Sequence, residues 1–226
     1  VYKWKLVSWN VNYLRARESL VQKLIEQENP DILCVQELKI DDGEYVNNFF
    51  TDYDYQTISQ TQKSYNGVSI SIKKQNRFKE LKLSKLNDHQ ARNNTIILED
   101  KNIILLNNYF PNGNPIDSEK FGFKKQWMND LYNEVKNIKK KYEMIITGDF
   151  NVIPEDDDAH DIKKYKKDAL AQPESRKEFY KYLNLDLLDV FENQPKNQSY
   201  TFFDYKTYKF GKEEGIRIDF FLTSPF

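Results

Sequence analysis

The chain of 226 residues has a formal net charge of −1, from 34 basic and 35 acidic side chains, so its bulk charge points to no polyanionic partner and any such contact must rest on local patches. A content of 39% hydrophobic and 31% charged residues allows one sizeable core on a soluble chain, and seven Gly and seven Pro are too few for a collagen-like or disordered one. A single Cys excludes an internal disulfide; no apolar run approaches the ~18 residues of a membrane span, and Val1-Tyr2-Lys3-Trp4 shows no basic-then-apolar leader, so a cytoplasmic protein without membrane contact is expected.

No repeat or Gly/Ser linker interrupts the chain, and residues 1–226 read as one domain. Leu6–Val11 is a short apolar run of strand character. Leu14–Glu28 follows as a helix, with Leu20, Val21, Leu24 and Ile25 on one stripe and Asn29-Pro30 to end it. Ile32–Leu38, Val68–Ile72, Thr95–Leu98 and Ile103–Phe110 read as strands. Val68-Ser69-Ile70-Ser71-Ile72 alternates at period two and should bury one face. Ser118–Tyr142 is a helix with Trp127, Leu131, Val135 and Ile138 inward, and Lys136–Lys141 suit the dipole at its end. The strand Met144–Phe150, a helix Ser175–Leu183 opened by a possible Ser cap, and the strands Tyr200–Tyr205 and Ile216–Leu222 complete the series. Ile216-Arg217-Ile218-Asp219-Phe220 also alternates and should bury one face. Such a series suits either two packed sheets with helices outside or a doubly wound sheet, and spacing alone does not separate the two.

Polar residues stand at the downstream ends of the strongest strands: Asn10, Glu37, Tyr109, then Asp149 and Asn151. If neighbouring strands run parallel, these converge on one rim, where α/β proteins bind ligands. A carboxylate partly withdrawn from water needs a counter-charge, which a hard cation supplies. Gly148, just before Asp149, allows close backbone approach.

Leu6-Val7-Ser8-Trp9-Asn10-Val11-Asn12, Gln36-Glu37-Leu38-Lys39, Asn108-Tyr109-Phe110-Pro111-Asn112-Gly113, Gly148-Asp149-Phe150-Asn151 and Gly215-Ile216-Arg217-Ile218-Asp219 occur in that order. Together they resemble the motifs of the exonuclease III family of DNA-repair nucleases, a branch of the endonuclease/exonuclease/phosphatase superfamily. The resemblance implies an α/β fold, a four-layer αββα sandwich of two mixed sheets flanked by helices. It implies a Mg²⁺-dependent phosphodiesterase (Mn²⁺ as a substitute) that acts as abasic-site endonuclease and 3′-to-5′ exodeoxyribonuclease. Its partner would be double-stranded DNA with abasic or 3′-blocked sites, met as a monomer in the bacterial cytoplasm. By the same resemblance Glu37 is the principal metal ligand with Asn10 beside it, and Asp149 orients or deprotonates the attacking water. Asn151 holds the phosphate or metal shell, Tyr109 lies near the scissile phosphate, and Asp219 is the carboxylate that orients a catalytic histidine. Arg92, Asn112 and Lys120 fall near the DNA backbone, and the aromatic pair Phe202-Phe203 forms a pocket for an extrahelical abasic sugar. Open chemistry of this kind suits Mg²⁺, which prefers one or two carboxylates plus water and phosphate.

The chain departs from the family pattern in three places. The family's Ser-Asp-His motif would lie beyond Phe226, and the two His present are His89, in Asn87-Asp88-His89, and His160, in the acidic loop Glu155–Asp161. Without that motif and the family's final strand, which would follow Phe226, residues 1–226 are expected to fold incompletely and to cleave slowly, so an inactive chain that binds DNA or metal is an alternative. A superfamily enzyme acting on RNA or lipid phosphate is another. Phe202-Phe203 stands where relatives carry a Trp in the pair, and Tyr13 where they carry a small residue.

Overall fold

Two short apolar strands, Leu6–Asn10 (β1) and Ile32–Gln36 (β2), pair in parallel with Asn10 opposite Gln36. The computed structural model describes residues 3–83, 86, 90–195, 199–203 and 214–225. The chain divides into two units, Val1–Tyr109 with Met144–Gly148, and Phe110–Glu143 with Asp149–Phe226. The fold is mixed α/β with two large sheets and helices, as the sequence implies.

In the first unit β1 and β2 form a mixed sheet with Tyr55–Gln60 (β3) and Val68–Lys73 (β4), in the order β1-β2-β4-β3. Alternation along β2 gives it two different faces. Leu33 and Val35 join Val21 and Ile25 of Glu18–Glu28 (α1) and Val46 and Phe50 of Gly43–Thr51 (α2) in one buried core. On the other face Gln36 donates to Asn107 Oδ1 at 2.6 Å. Asn107 in turn donates to the backbone oxygens of Val35 and Ser69. Asn107 belongs to Ile103–Tyr109 (β7), in a second sheet that runs Phe78–Glu80 (β5), Asn93–Leu98 (β6), β7 and Glu143–Asp149 (β8), of which Met144–Gly148 lie in this unit. Packed on both sides, β4 buries Ser69 and Ser71 as fully as Val68, Ile70 and Ile72, which corrects the expectation of a single buried face.

Local chemistry explains the element ends. Asn29 takes the left-handed conformation (φ 41°) with its N–H on Ile25 O, and Pro30 cannot extend α1. The helix starts later than its pattern suggests: Leu14–Ala16 is a separate 3₁₀ turn broken at Arg17 (φ −124°), and Leu20 is exposed. Asp42 caps α2 by accepting from Tyr45 N.

In the second unit Glu119–Ile138 (α3) starts at Ser118, which accepts from Lys120 N. Pro173–Leu183 (α4) opens with Pro at its first turn, and Ser175 is no cap: buried inside the helix, it donates to Ala169 O at 2.6 Å. Phe110, Phe150, Phe179 and Phe220 interlock, with Phe110 and Phe150 stacked 4.3 Å apart. Leu188–Asp189 (β9) pairs with Asp219–Thr223 (β12), and Phe202–Phe203 (β10) with Gly215–Ile216 (β11), both antiparallel. The expected strand Ile216–Leu222 is thus two strands with Arg217 and Ile218 between them. Arg217 is buried against its pattern because it pairs with Asp158 at 2.8 Å and Asp189 at 2.6 Å. Among the described residues no helix is long and apolar enough to cross a membrane.

Candidate active site

Parallel pairing of β1 and β2 ends with Asn10 and Glu37 side by side, and backbone hydrogen bonds carry the register past the strand ends: Val11 N to Gln36 O, Tyr13 N to Glu37 O and Leu14 N to Leu38 O. Glu37 itself has φ 54°. Its carboxylate accepts from Asn10 Nδ2 at 2.9 Å through one oxygen and meets Lys39 Nζ at 2.7 Å through the other. The Tyr109 phenol also bonds to it. Burial alone would raise the pKa of Glu37; the donors Asn10, Lys39 and Tyr109 and the charge on Lys39 outweigh it and hold the carboxyl below its usual range. Asn10 is oriented in turn, because its Oδ1 accepts from Asn12 N. Arg92 lies 4.9 Å from the centre of the Tyr109 ring and donates to Tyr109 O, so in this chain it positions the phenol. Gly148 makes the β7–β8 approach possible: at φ 126° a Cβ there would sit 1.9 Å from Asn108 O.

The second unit gathers Asp149, Asn151 and Asn112. Asp149 Oδ1 accepts from Asn151 N, Asn151 Nδ2 donates to Phe110 O, and Asn112 Nδ2 donates to Asn151 Oδ1. Phe150, between Asp149 and Asn151, and Phe110, two residues before Asn112, anchor them by burying their rings. Beneath them Lys124 of α3 is fully buried and donates to Asn112 O and Asn151 O. Burial pushes its ammonium down to about 7, against the pull of Asp149 and Asp168. Asp219, at the start of β12, presents a partly exposed backbone and a buried carboxyl. Burial raises that carboxyl to about 6 despite a hydrogen bond from Thr201, and Oδ1 has no hydrogen-bond partner among the described residues.

The remaining expected residues are more scattered. Lys120 is exposed in the first turn of α3. Phe202 is exposed on β10, whereas the Phe203 ring covers Gly215. His160 is exposed and its N–H bonds to Gly215 O; His89 lies outside the described residues, as do Asp204 and Tyr205. Sequence reasoning missed Lys39, Thr201 and Lys124. Only Lys124 left a signal: it fills the inward position in the helical series Phe121, Lys124, Met128, Leu131, Val135.

Glu37 fits a hard divalent cation. It is ionised, its Lys39 side already takes a counter-charge, and among the described residues no group of three His, Cys, Asp or Glu surrounds it. An ion there would keep water and phosphate oxygens as ligands, the coordination Mg²⁺ favours.

Comparison with known proteins gives one family. Residues 7–226 match the endonuclease/exonuclease/phosphatase family. An exodeoxyribonuclease of Bacillus subtilis is 28% identical over 224 residues, 97% of this chain and 88% of that protein. The structure of a 3′ phosphatase from Neisseria bound to product DNA hairpin superposes with TM-score 0.87 at 30% identity, covering 99% of this chain and 87% of that one. An AP endonuclease from Archaeoglobus fulgidus superposes with TM-score 0.85 at 29% identity, covering 99% and 87%.

Proposed function

The chain belongs to the endonuclease/exonuclease/phosphatase family, and on that premise we propose that it is a Mg²⁺-dependent hydrolase of DNA phosphoesters, cleaving at abasic sites and removing nucleotides or blocking groups from 3′ ends. The observation that carries the reading is the Glu37 carboxylate, kept ionised at the end of a parallel strand pair by Asn10, Lys39 and Tyr109. The names of its relatives agree on DNA phosphoester chemistry: an exodeoxyribonuclease, a 3′ phosphatase and an AP endonuclease. Residues 1–226 act as one catalytic domain in this reading.

The reaction needs a placed nucleophile, charge stabilisation at the non-bridging oxygens and help for the leaving oxygen. Glu37, with Asn10 beside it, would hold the ion in the first unit. When bound, the ion supplies positive charge to the phosphate oxygens. Asp149 accepts the proton of the attacking water; its Oδ1 is already fixed by the Asn151 N–H, which sets the plane of the carboxylate. Tyr109, held over Arg92, offers its phenol to a phosphate oxygen in exchange for Glu37. Asn112 and Asn151 hold the substrate without adding negative charge beside it. Asp219 keeps one buried oxygen open to a donor, which suits a carboxylate that orients a histidine.

A substrate panel tests the proposal: duplex with an abasic analogue, duplex with a 3′-phosphate, intact duplex, RNA and a phospholipid headgroup ester, each with Mg²⁺ and with EDTA. Mg²⁺-dependent hydrolysis of the first two is expected. Hydrolysis of RNA or lipid alone would move the enzyme to another branch of the family, and binding without any cleavage would make it a DNA- or metal-binding chain.

A further inference from the structure

Tyr13 is held in a backbone conformation that a tyrosine rarely adopts. Its φ of 86° and ψ of 100° lie outside the left-handed helical well that Asn12, at φ 45°, occupies. The conformation is enforced from both sides: Tyr13 N–H donates to Glu37 O at 2.8 Å, and the next residue, Leu14, is fully buried with its N–H on Leu38 O. Glycine, without a Cβ, would bear less strain there. The ring does not compensate by packing, since Tyr13 is 40% exposed. It shares its turn with Arg15, an exposed cation 4.5 Å from the Tyr45 ring and without an ion pair among the described residues. An exposed aromatic ring on a segment that also carries an exposed cation is the chemistry with which proteins hold unpaired bases.

We propose that Tyr13 is a specificity-determining residue whose ring stacks on the base next to the phosphate handled at Glu37. The peptide of Tyr13 is bonded to that of Glu37, so this exposed residue borders the backbone of the proposed phosphate site. Stacking is tolerant of sequence but needs an accessible base face, so Tyr13 favours sites where the flanking base is unstacked: beside an abasic position, at a frayed 3′ end, or in a single strand. This rests on the nuclease reading of the Glu37 site.

The test compares wild type, Tyr13→Phe, Tyr13→Leu and Tyr13→Gly on an abasic duplex with 2-aminopurine beside the abasic position. Thermal unfolding of each variant is measured alongside. Tyr13→Gly is expected to raise Tm by relieving strain, yet to raise KM about ten-fold or more with little change in kcat, in line with the loss of one stacked base. Tyr13→Phe should keep the wild-type KM, whereas Tyr13→Leu should behave like Tyr13→Gly in KM. Wild type and Tyr13→Phe should quench 2-aminopurine on binding, and Tyr13→Gly should not. Wild-type cleavage with an unchanged KM and unchanged quenching in Tyr13→Gly would overturn the stacking role alone. Absence of DNA cleavage and binding in wild type would overturn the nuclease reading, and this inference with it.

Discussion

Asp219 shows how one side chain can be costly for the fold. Burial raises its carboxyl to about 6 from an ordinary value of 3.8. A carboxyl whose folded pKa is raised binds its proton more tightly in the folded state. Its contribution to stability is fully present below about pH 4 and is lost as pH rises through about 6. At pH 7 the buried charge therefore works against folding, and Asp219→Asn should stabilise the chain there by up to about 3 kcal/mol, with the gain vanishing near pH 4. Thermal unfolding of both proteins from pH 4 to 8 checks this. Cleavage should fall in the same variant, since a residue kept at a cost to stability fits a functional role. Lys124 titrates with the opposite sign. Its folded pKa, pushed down to about 7, lies below the ordinary 10.5, so the unfolded chain holds the extra proton between those values and stability rises with pH across that window. Lys124→Met should flatten that slope, and should lower turnover because the carbonyls of Asn112 and Asn151 lose their shared donor.

Elements place these residues through a few fixed backbone points. Gly148 is the strictest: a side chain there would collide with the Asn108 carbonyl while forcing φ to 126°. Gly148→Ala should cost more than about 4 kcal/mol, the range reserved for clashes that cannot relax, and should show as lost soluble yield or a collapsed Tm. Much of this layer was legible in the sequence. β1, β2, β7 and β8 were visible as apolar runs, with Asn10, Glu37, Tyr109 and Asp149 at or just past their ends, because strand ends expose polar groups next to buried ones. The order of motifs singled out the same residues. Other features were hidden. α2, β3 and β5 carry weak patterns: α2 opens on Gly43, and β3 shows Gln56, Ser59 and Gln60 among its residues. Their formation depends on the Asp42 cap and on pairing with β4 and β6, partners a local window does not contain. The alternation in Val68–Ile72 overstated exposure, because a second sheet covers the serine side. Ile216–Leu222 misled in the other direction, because a buried Arg217 needs Asp158 and Asp189, both distant in sequence.

At the scale of the molecule, the proposed function sets a net charge of −1 beside binding to a polyanion. Contact through exposed basic residues, Arg15 in the first unit and Lys120 in the second among them, would release counterions, so affinity for duplex DNA should fall as salt rises from low to physiological strength despite the balanced total. Fluorescence anisotropy of a labelled duplex over a salt series reads this directly. The acidic complement has its own use in the proposed reaction, where Glu37 would hold a divalent ion and Asp149 would take a proton from an attacking water. The proposed role of Glu37 is probed most directly by the Mg²⁺ dependence of cleavage. Single-turnover cleavage of an abasic duplex, titrated with Mg²⁺, should show that wild type cleaves only with the ion, and that Glu37→Gln needs at least about ten-fold more Mg²⁺ to reach a much lower rate. A Glu37→Gln enzyme with the wild-type Mg²⁺ midpoint and rate would contradict it.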